Sequence, residues 1–382
     1  MWAFNISMKL AFIIYQYFPY GGLQRDFKRI AEACLGRKHE VDIFCESWQG
    51  SELKGAALHT KRFRAMNTHS RQKKFHRWVL KQFELKHYDC VVGFNKMPDL
   101  DLYFAAEPCF QEKALHQRLP LYRMGAHYKH YYACEKAVFG HESNTHILLL
   151  SESQKPQYME HYHTPDRRIH LLPAGVTRDR RAPENSADIR AQYRHTWSVK
   201  ENEYLVLMLT SNFKSKGLDR AITAVASLSK TLREKTHLFV LGQDDPKDYE
   251  QLAKDLGIED RVRFLAGRDD VPQFLQAADL LVNPAYFEHT GIVVLEALVA
   301  GLPVITTSVC NYGHYIQQAN AGAVLSAPFV QEAFNQKLSE LLLSTKKAQW
   351  RSNALAYAET HDLYELPERA VDEIESRAKL RH

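Results

Sequence analysis

Short apolar runs rich in β-branched and aromatic residues alternate with amphipathic stretches of helical period along nearly the whole chain, and this alternation leaves few folds open. In the first half, residues 9–15, 41–45, 90–94, 102–106 and 146–150 read as strands, with helices between most of them, notably at 23–35 and 73–86. After Pro173-Ala174-Gly175 comes a basic, polar stretch, 177–194, which reads as a linker plus a surface helix and marks a domain boundary. The theme then resumes with greater regularity, with strands expected at 204–210, 237–241, 262–265, 280–283 and 304–307. Strands separated by helices form parallel sheets covered on both faces, so the class is α/β with two Rossmann-like domains. The expected domains are 1–172, 173–360 and a C-terminal helical segment, 361–382, placed to pack back on the first domain; its helix spans 366–380, with Pro367 in a tolerated first-turn position. A length of 382 residues suits two such domains, each of about 150 to 200 residues and able to bury its own core.

The six cysteines (34, 45, 90, 109, 134 and 310) form no CxxC pair, and several sit inside apolar runs, so they read as reduced core residues. No apolar stretch approaches the roughly 18 to 20 residues of a spanning helix, and the first ten residues lack the apolar core of a signal peptide. The expected location is therefore the cytoplasm. A net charge of +5, from 50 basic and 45 acidic residues, does not suggest a nucleic-acid partner.

The most specific motif is Glu288-His289-Thr290-Gly291-Ile292-Val293-Val294-Leu295-Glu296, followed by Gly301-Leu302-Pro303-Val304. Two glutamates eight apart flank a helix start. The strand at 280–283 delivers Glu288 at its carboxyl end, Thr290 is a candidate cap, and Gly291 lets a ligand approach the first amides, including that of Ile292. Such amides and the helix dipole favour a pyrophosphate. Glu296 can accept hydrogen bonds from adjacent ribose hydroxyls, and Glu288 from the hydroxyls of a sugar. The stretch resembles the E-x7-E motif of the retaining GT-B glycosyltransferases of family 4.

That resemblance implies two Rossmann-like domains facing each other across a cleft, and it extends to other segments. In the family, an arginine and a lysine clamp the donor pyrophosphate in the loop matched here by Ser211 to Gly217; Lys216 matches the lysine, Ser211 stands at the arginine, and Lys214 is the substitute point charge. Residues 264–271 resemble the strand and loop that hold the base, which makes Arg268 a candidate phosphate or base contact; a surface-turn arginine reads equally well. Gly21 and Gly22, after the first strand, match the Gly-Gly loop that faces the donor's sugar and phosphates, though a plain tight turn is the competing reading. The stretches 17–27, 93–98 and 362–364 are similar to members of the family that add glucose from UDP-glucose to the inner-core heptose of lipopolysaccharide. The similarity covers roughly residues 8 to 370, which makes Met8 a candidate start and leaves residues 1–7 without an assigned role.

No activated nucleophile pair lies beside the donor motif, so retention implies front-face attack, with the leaving phosphate taking the acceptor proton. Lys216 and Glu288 are then catalytic as well as donor-binding, and Asp26 and Glu107 are the carboxylates expected nearest the acceptor. Arg25, Asn95 and Lys96, in loops after strands of the first domain, are the acceptor-binding candidates. The expected partners are a UDP-sugar, a lipopolysaccharide core acceptor and an anionic membrane surface, with no nucleic acid and no cofactor beyond the co-substrate. The membrane expectation rests on residues 108–139, where Lys113, Arg118, Arg123, Lys129 and Lys136 are interleaved with Phe110, Leu119, Leu121, Tyr122, Tyr128, Tyr131 and Tyr132. A solvated helix with a packed aromatic face is the other reading. Asp99-Leu100-Asp101 has a metal-binding form but begins a strand, and no third ligand is evident, so no metal is expected. His127, His130, His161 and His163 read as solvated. The rival functions are another hexosyl or N-acetylhexosaminyl transfer within family 4, or a sugar-nucleotide epimerase of the same architecture.

Overall fold

A computed structural model of the chain describes residues 7–19, 21–288 and 290–380, so the expectation for residues 1–7 falls, apart from Ser7, outside the described residues. The chain divides into two compact units, one built from the residues up to Ala174 and from Glu365 onward, the other Gly175–Tyr364. The sequence placed the divisions at 172/173 and 360/361.

The first unit runs β1 (Lys9–Ile13), β2 (Gln16–Tyr17), α1 (Gly22–Gly36), β3 (Glu40–Cys45), β4 (Ser47–Trp48), β5 (Ala57–Thr60), α2 (Thr68–Leu85), β6 (Cys90–Gly93), β7 (Leu102–Ala105), α3 (Phe110–Gln117), α4 (Ala126–Phe139), β8 (His146–Leu149), α5 (Lys155–Tyr162) and β9 (Ile169–Leu171). Seven strands form a parallel sheet in the order β5-β3-β1-β6-β7-β8-β9. Alternation along each strand sorts side chains between two cores. Leu10, Phe12, Val41, Ile43, Val92 and Phe104 fill one face, while Ala11, Ile13, Phe44, Val91, Tyr103 and Ile147 fill the other. Because both faces are covered, these strands read as continuous apolar runs.

The second unit runs α6 (Ser186–Thr196), β10 (Tyr204–Leu209), α7 (Leu218–Ala226), α8 (Lys230–Arg233), β11 (Thr236–Leu241), α9 (Lys247–Asp255), β12 (Val262–Leu265), α10 (Val271–Ala277), β13 (Leu280–Asn283), α11 (Ile292–Val299), β14 (Val304–Thr307), α12 (Gly313–Ala319), β15 (Gly322–Leu325), α13 (Gln331–Leu343) and α14 (Lys347–Thr360). Its parallel sheet has the order β12-β11-β10-β13-β14-β15, which is the doubly wound Rossmann order. The chain order reverses between β10 and β13 here and between β1 and β6 in the first unit. Ligands of such sheets bind outside the carboxyl ends at these reversals.

The segment expected as a linker and surface helix is more than that. Arg190 and Arg194 of α6 reach Asp279 at 2.6 and 3.0 Å and donate to the carbonyl of Ala277, where α10 ends. Asp279 also accepts the amide of Leu205 (2.8 Å), so the two arginines complete the partners of a half-buried carboxylate and cap a helix C-terminus. The last helix, α15 (Leu366–Lys379), returns to the first unit, where Ala370, Val371 and Ile374 join the core containing Phe27 and Ile30. Full burial of a side chain such as Val371 or Ile374 contributes about 1.5 to 3 kcal/mol. Ion pairs from Arg37 to Asp372 (2.7 Å) and Glu375 (3.2 Å) fix its register.

Candidate active site

In the second unit, the loops after β10 and β13 are joined across the chain reversal. The amides of Tyr286 and Phe287 donate to the carbonyl of Ser215 at 2.9 and 3.2 Å. Gly217 has φ +75°, and a Cβ there would stand 2.2 Å from the Pro284 carbonyl oxygen, so only glycine permits this approach. The junction brings Lys216 Nζ to 2.7 Å from Glu288 Oε2, with side-chain exposures of 23% and 8%. Lys214 is exposed on the same loop.

Helix α11 starts just beyond, with Gly291 as its N-cap at φ +82° and Ile292 as its first residue. Thr290 is not the cap expected of it. The left-handed turn at Gly291 moves the helix start past Thr290, whose carbonyl instead accepts the Tyr312 amide (2.8 Å) and the Cys310 thiol (3.7 Å). Glu288 pairs with Cys310 in an isolated parallel bridge, and a Cβ on Gly291 would meet the Cys310 sulfur at 2.2 Å. The turn after β14 therefore backs the loop from behind. Burial pushes the Cys310 thiol up to about 12, so it stays neutral there. Sequence reading grouped Cys310 with the other five cysteines as reduced core residues and so missed its place behind this loop.

Glu296 is 3% exposed and faces Arg180, whose Nε is 3.5 Å from its carboxylate. It is a buried carboxylate in a helix buried from Val294 through Val299. Arg180, in the polar stretch after β9, was passed over as linker. Arg268 is likewise committed: it grips Asp270 through Nε and Nη2 at 2.7 and 2.8 Å and lies over the rings of Trp197 and Phe274.

In the first unit, Gly21 caps α1 at φ −81° and Gly22 opens it, and neither has the positive φ that a glycine-requiring tight turn would need. A Cβ on Gly22 would meet nothing within 4 Å, so space is open beside the first turn. Asp26 sits 3.4 Å from Arg29 on α1, beside the half-buried Arg25. Asn95 follows β6; its Oδ1 accepts the Tyr15 amide and its Nδ2 donates to Glu107 Oε1, both at 2.9 Å. Lys96 is enclosed rather than open to solvent. Its ammonium is 9% exposed and bonded to Glu135 (2.5 Å) and to the Pro108 carbonyl. Glu135, fully buried, also accepts the first amides of α3, from Phe110 and Gln111, at 2.7 and 2.9 Å. Lys96 is the counter-charge that lets Glu135 be buried.

The basic aromatic segment forms α3, a 3-10 turn (Pro120–Met124) and α4. Lys113, Arg118, Arg123, Lys129 and Lys136 are exposed, and so are Leu119 (78%), Leu121 (76%) and Met124 (72%). The tyrosines are engaged inside the fold: Tyr128 stacks on Tyr132, and Tyr131 packs on Phe110. Among the described residues, no helix is long and apolar enough to cross a membrane, and no three metal-ligating side chains converge. Asp101 accepts the Val91 amide (2.8 Å), and Asp99 lies 3.3 Å from His76. His130, expected to be solvated, is 7% exposed and bonded to Gln72. His161 is also largely enclosed, 2.7 Å from Glu112.

Comparison with known proteins accords with this geometry. Residues 189–356 match the family model described as glycosyl transferases group 1. The lipopolysaccharide glucosyltransferase WaaG of Escherichia coli is 45% identical over 366 residues, 96% of this chain and 98% of that one. A crystal structure of WaaG, a glycosyltransferase involved in lipopolysaccharide biosynthesis, superposes with a TM-score of 0.93 at 44% identity, covering 96% of this chain and 99% of the other. HepE of Anabaena, solved with UDP and glucose, shares the fold at a TM-score of 0.76 and 17% identity, covering 97% and 100%. The chain therefore belongs to the lipopolysaccharide glucosyltransferase family within the group 1 glycosyl transferases, and it is a glycosyltransferase of GT-B fold.

Proposed function

We propose that this enzyme moves glucose from UDP-glucose to the inner-core heptose of lipopolysaccharide, with retention and without a metal or other cofactor, at the inner face of the membrane. The observation that carries the reading is near full-length identity of 45% to a lipopolysaccharide glucosyltransferase. The geometry of the second unit supports the donor half. Lys216, Glu288 and the start of α11 converge at a sheet reversal, where a lysine and helix-end amides suit a pyrophosphate and a carboxylate suits sugar hydroxyls.

In the free protein, Lys216 and Glu288 neutralise each other. An arriving pyrophosphate competes for Lys216 and frees Glu288 for the hexose. The acceptor oxygen attacks the anomeric carbon from the face that the UDP oxygen leaves. One C–O bond forms as the other breaks, and the acceptor proton passes to the departing β-phosphate. Lys216, Lys214 and the amides at Gly291 and Ile292 stabilise the charge that grows there. Asp26, Glu107, Arg25 and Asn95 are the groups proposed nearest the acceptor. Exposed Leu119, Leu121 and Met124 among Arg118, Arg123 and Lys129 support a peripheral membrane contact through apolar insertion and charge. Radiolabelled UDP-glucose tests the reading: label should enter truncated lipopolysaccharide ending in heptose. Label retained only in UDP-glucose, or epimerised without acceptor, would overturn it.

A further inference from the structure

At the carboxyl edge of the first unit's sheet, four residues follow four strands: Tyr15 after β1, Glu46 after β3, Asn95 after β6 and Glu107 after β7. Hydrogen bonds tie them in a row. The Glu46 amide donates to the Tyr15 carbonyl, the Tyr15 amide to Asn95, and the Asn95 amide group to Glu107, each at 2.9 Å. The Tyr15 phenol is pushed up by burial, then by Cys134, Glu107, Tyr131 and Glu46.

Glu46 stands apart from the others. It is 4% exposed, yet among the described residues its Oε1 has no hydrogen-bond partner. Its Oε2 lies 3.1 Å from Nε of Arg71, in the first turn of α2, but outside hydrogen-bonding geometry, and that Nε also lacks a hydrogen-bond partner. The Arg71 side chain is 38% exposed, although its Nε is buried beside the carboxylate. Buried polar atoms without partners are rare and costly. Here an orphan acceptor and an orphan donor stand side by side. A hydroxyl donates one hydrogen bond and accepts others, so one hydroxyl satisfies both. A phosphate would be repelled by Glu46 and an ammonium by Arg71.

We propose, resting on the acceptor reading above, that Glu46 and Arg71 form a hydroxyl-recognising subsite for the acceptor saccharide, the carboxylate receiving an O–H and the guanidinium donating to a sugar oxygen. The subsite sits in the row containing Asn95 and Glu107, and it takes a neutral polyol edge rather than an anionic group.

The test is steady-state transfer from UDP-glucose to deacylated, heptose-terminated lipopolysaccharide by the parent, Glu46→Leu, Glu46→Gln and Arg71→Met, with UDP affinity and melting temperature measured for each. Loss of one hydroxyl contact raises the acceptor KM about tenfold or more. The expected result is that rise in Glu46→Leu and Arg71→Met, largely recovered in Glu46→Gln, which keeps an acceptor oxygen, with donor KM and UDP affinity unchanged. Acceptor KM unchanged in Arg71→Met and in Glu46→Leu, with the parent active, overturns the subsite alone and leaves those orphan atoms to water. A rise in donor KM matching that in acceptor KM, or a collapse in melting temperature in both Glu46 variants and Arg71→Met, overturns it in favour of a structural pair. A parent that binds UDP-glucose but transfers nothing overturns the acceptor reading itself, and the subsite with it.

Discussion

The ion pair between Lys216 and Glu288 predicts opposite signs for two substitutions in one loop. On the proposed reading Lys216 exchanges one anion for another when donor binds, while Glu288 loses its partner and gains sugar hydroxyls. At 2.7 Å, with 23% and 8% of the two side chains exposed, the pair is partly solvated, and a contribution of about 1 kcal/mol is the scale for such contacts. A charge-assisted contact to pyrophosphate is worth about 1.5 to 3 kcal/mol. Net of the pair it gives up, Lys216→Ala should therefore weaken UDP by about twofold to thirtyfold. Glu288→Gln removes the competitor for Lys216, so UDP alone should bind up to about fivefold more tightly. UDP-glucose should gain nothing and turn over more slowly, because the hexose loses its carboxylate. Calorimetry with both ligands reads all four numbers. If Glu288→Gln weakens UDP as much as it weakens UDP-glucose, the carboxylate supports the nucleotide site rather than competing within it, and the exchange is wrong.

Glu296→Ala should lower the melting temperature where Lys216→Ala does not, because it removes the buried carboxylate 3.5 Å from Arg180 Nε while Nη1 keeps Asp179 at 2.5 Å, a loss of about 1 to 3 kcal/mol for a buried donor left unanswered; equal melting curves would contradict this. Excess EDTA should leave transfer unchanged and Asp99→Asn should be nearly silent, whereas activity restored by manganese or magnesium would show a metal requirement. A variant with Lys113, Arg118, Arg123 and Lys129 changed to glutamine should bind UDP normally yet fail to pellet with phosphatidylglycerol vesicles, and Leu121→Asn should reduce the part of binding that survives high salt; pelleting equal to the parent in both rejects the tether. Burial raises the Glu375 carboxyl, but hydrogen bonds from His39 and Arg37 outweigh it and hold the group below its ordinary value, so its contribution is full above about pH 4.5 and is lost as pH falls through the folded-state value. Hydrogen exchange should show α15 loosening in that acid range, and Glu375→Gln should flatten the dependence.

The strands of the fold were legible where burial on both faces forces a continuous apolar run: 280–283 and 304–307 coincide with β13 and β14. Of the edge strands of the two large sheets, only β12 at 262–265 was legible. β5, β9 and β15 lie at sheet edges, carry half-exposed residues such as His59 and His170, and lack the apolar run that marks a central strand. The overrun of the 9–15 expectation past Ile13 has a local cause: Tyr15 is apolar enough to extend the run, but its amide turns aside to Asn95.

The candidate site divides along a different line. Position after a strand of a parallel sheet is a local property, so Glu288 and Gly291 could be singled out from sequence spacing, while Lys216 and Asn95 came with the family resemblance. Which charge cancels which is not local. Lys96 and Arg268 carry the same residue-type signal as Lys216, and all three lie in loops after strands. Lys96 meets Glu135, 39 residues away, inside the fold, and Arg268 turns back on Asp270 two residues on, while Lys216 meets Glu288, the carboxylate that the proposed reading gives to the donor sugar. An ion pair whose members have no other task is a structural counter-charge, and one whose members both match donor groups is an exchangeable one. Only the three-dimensional pairing separates these cases. It also gives Arg180 and Glu46, which carried no motif, physical reasons to be examined: one faces a buried carboxylate, and the other leaves a buried oxygen unanswered.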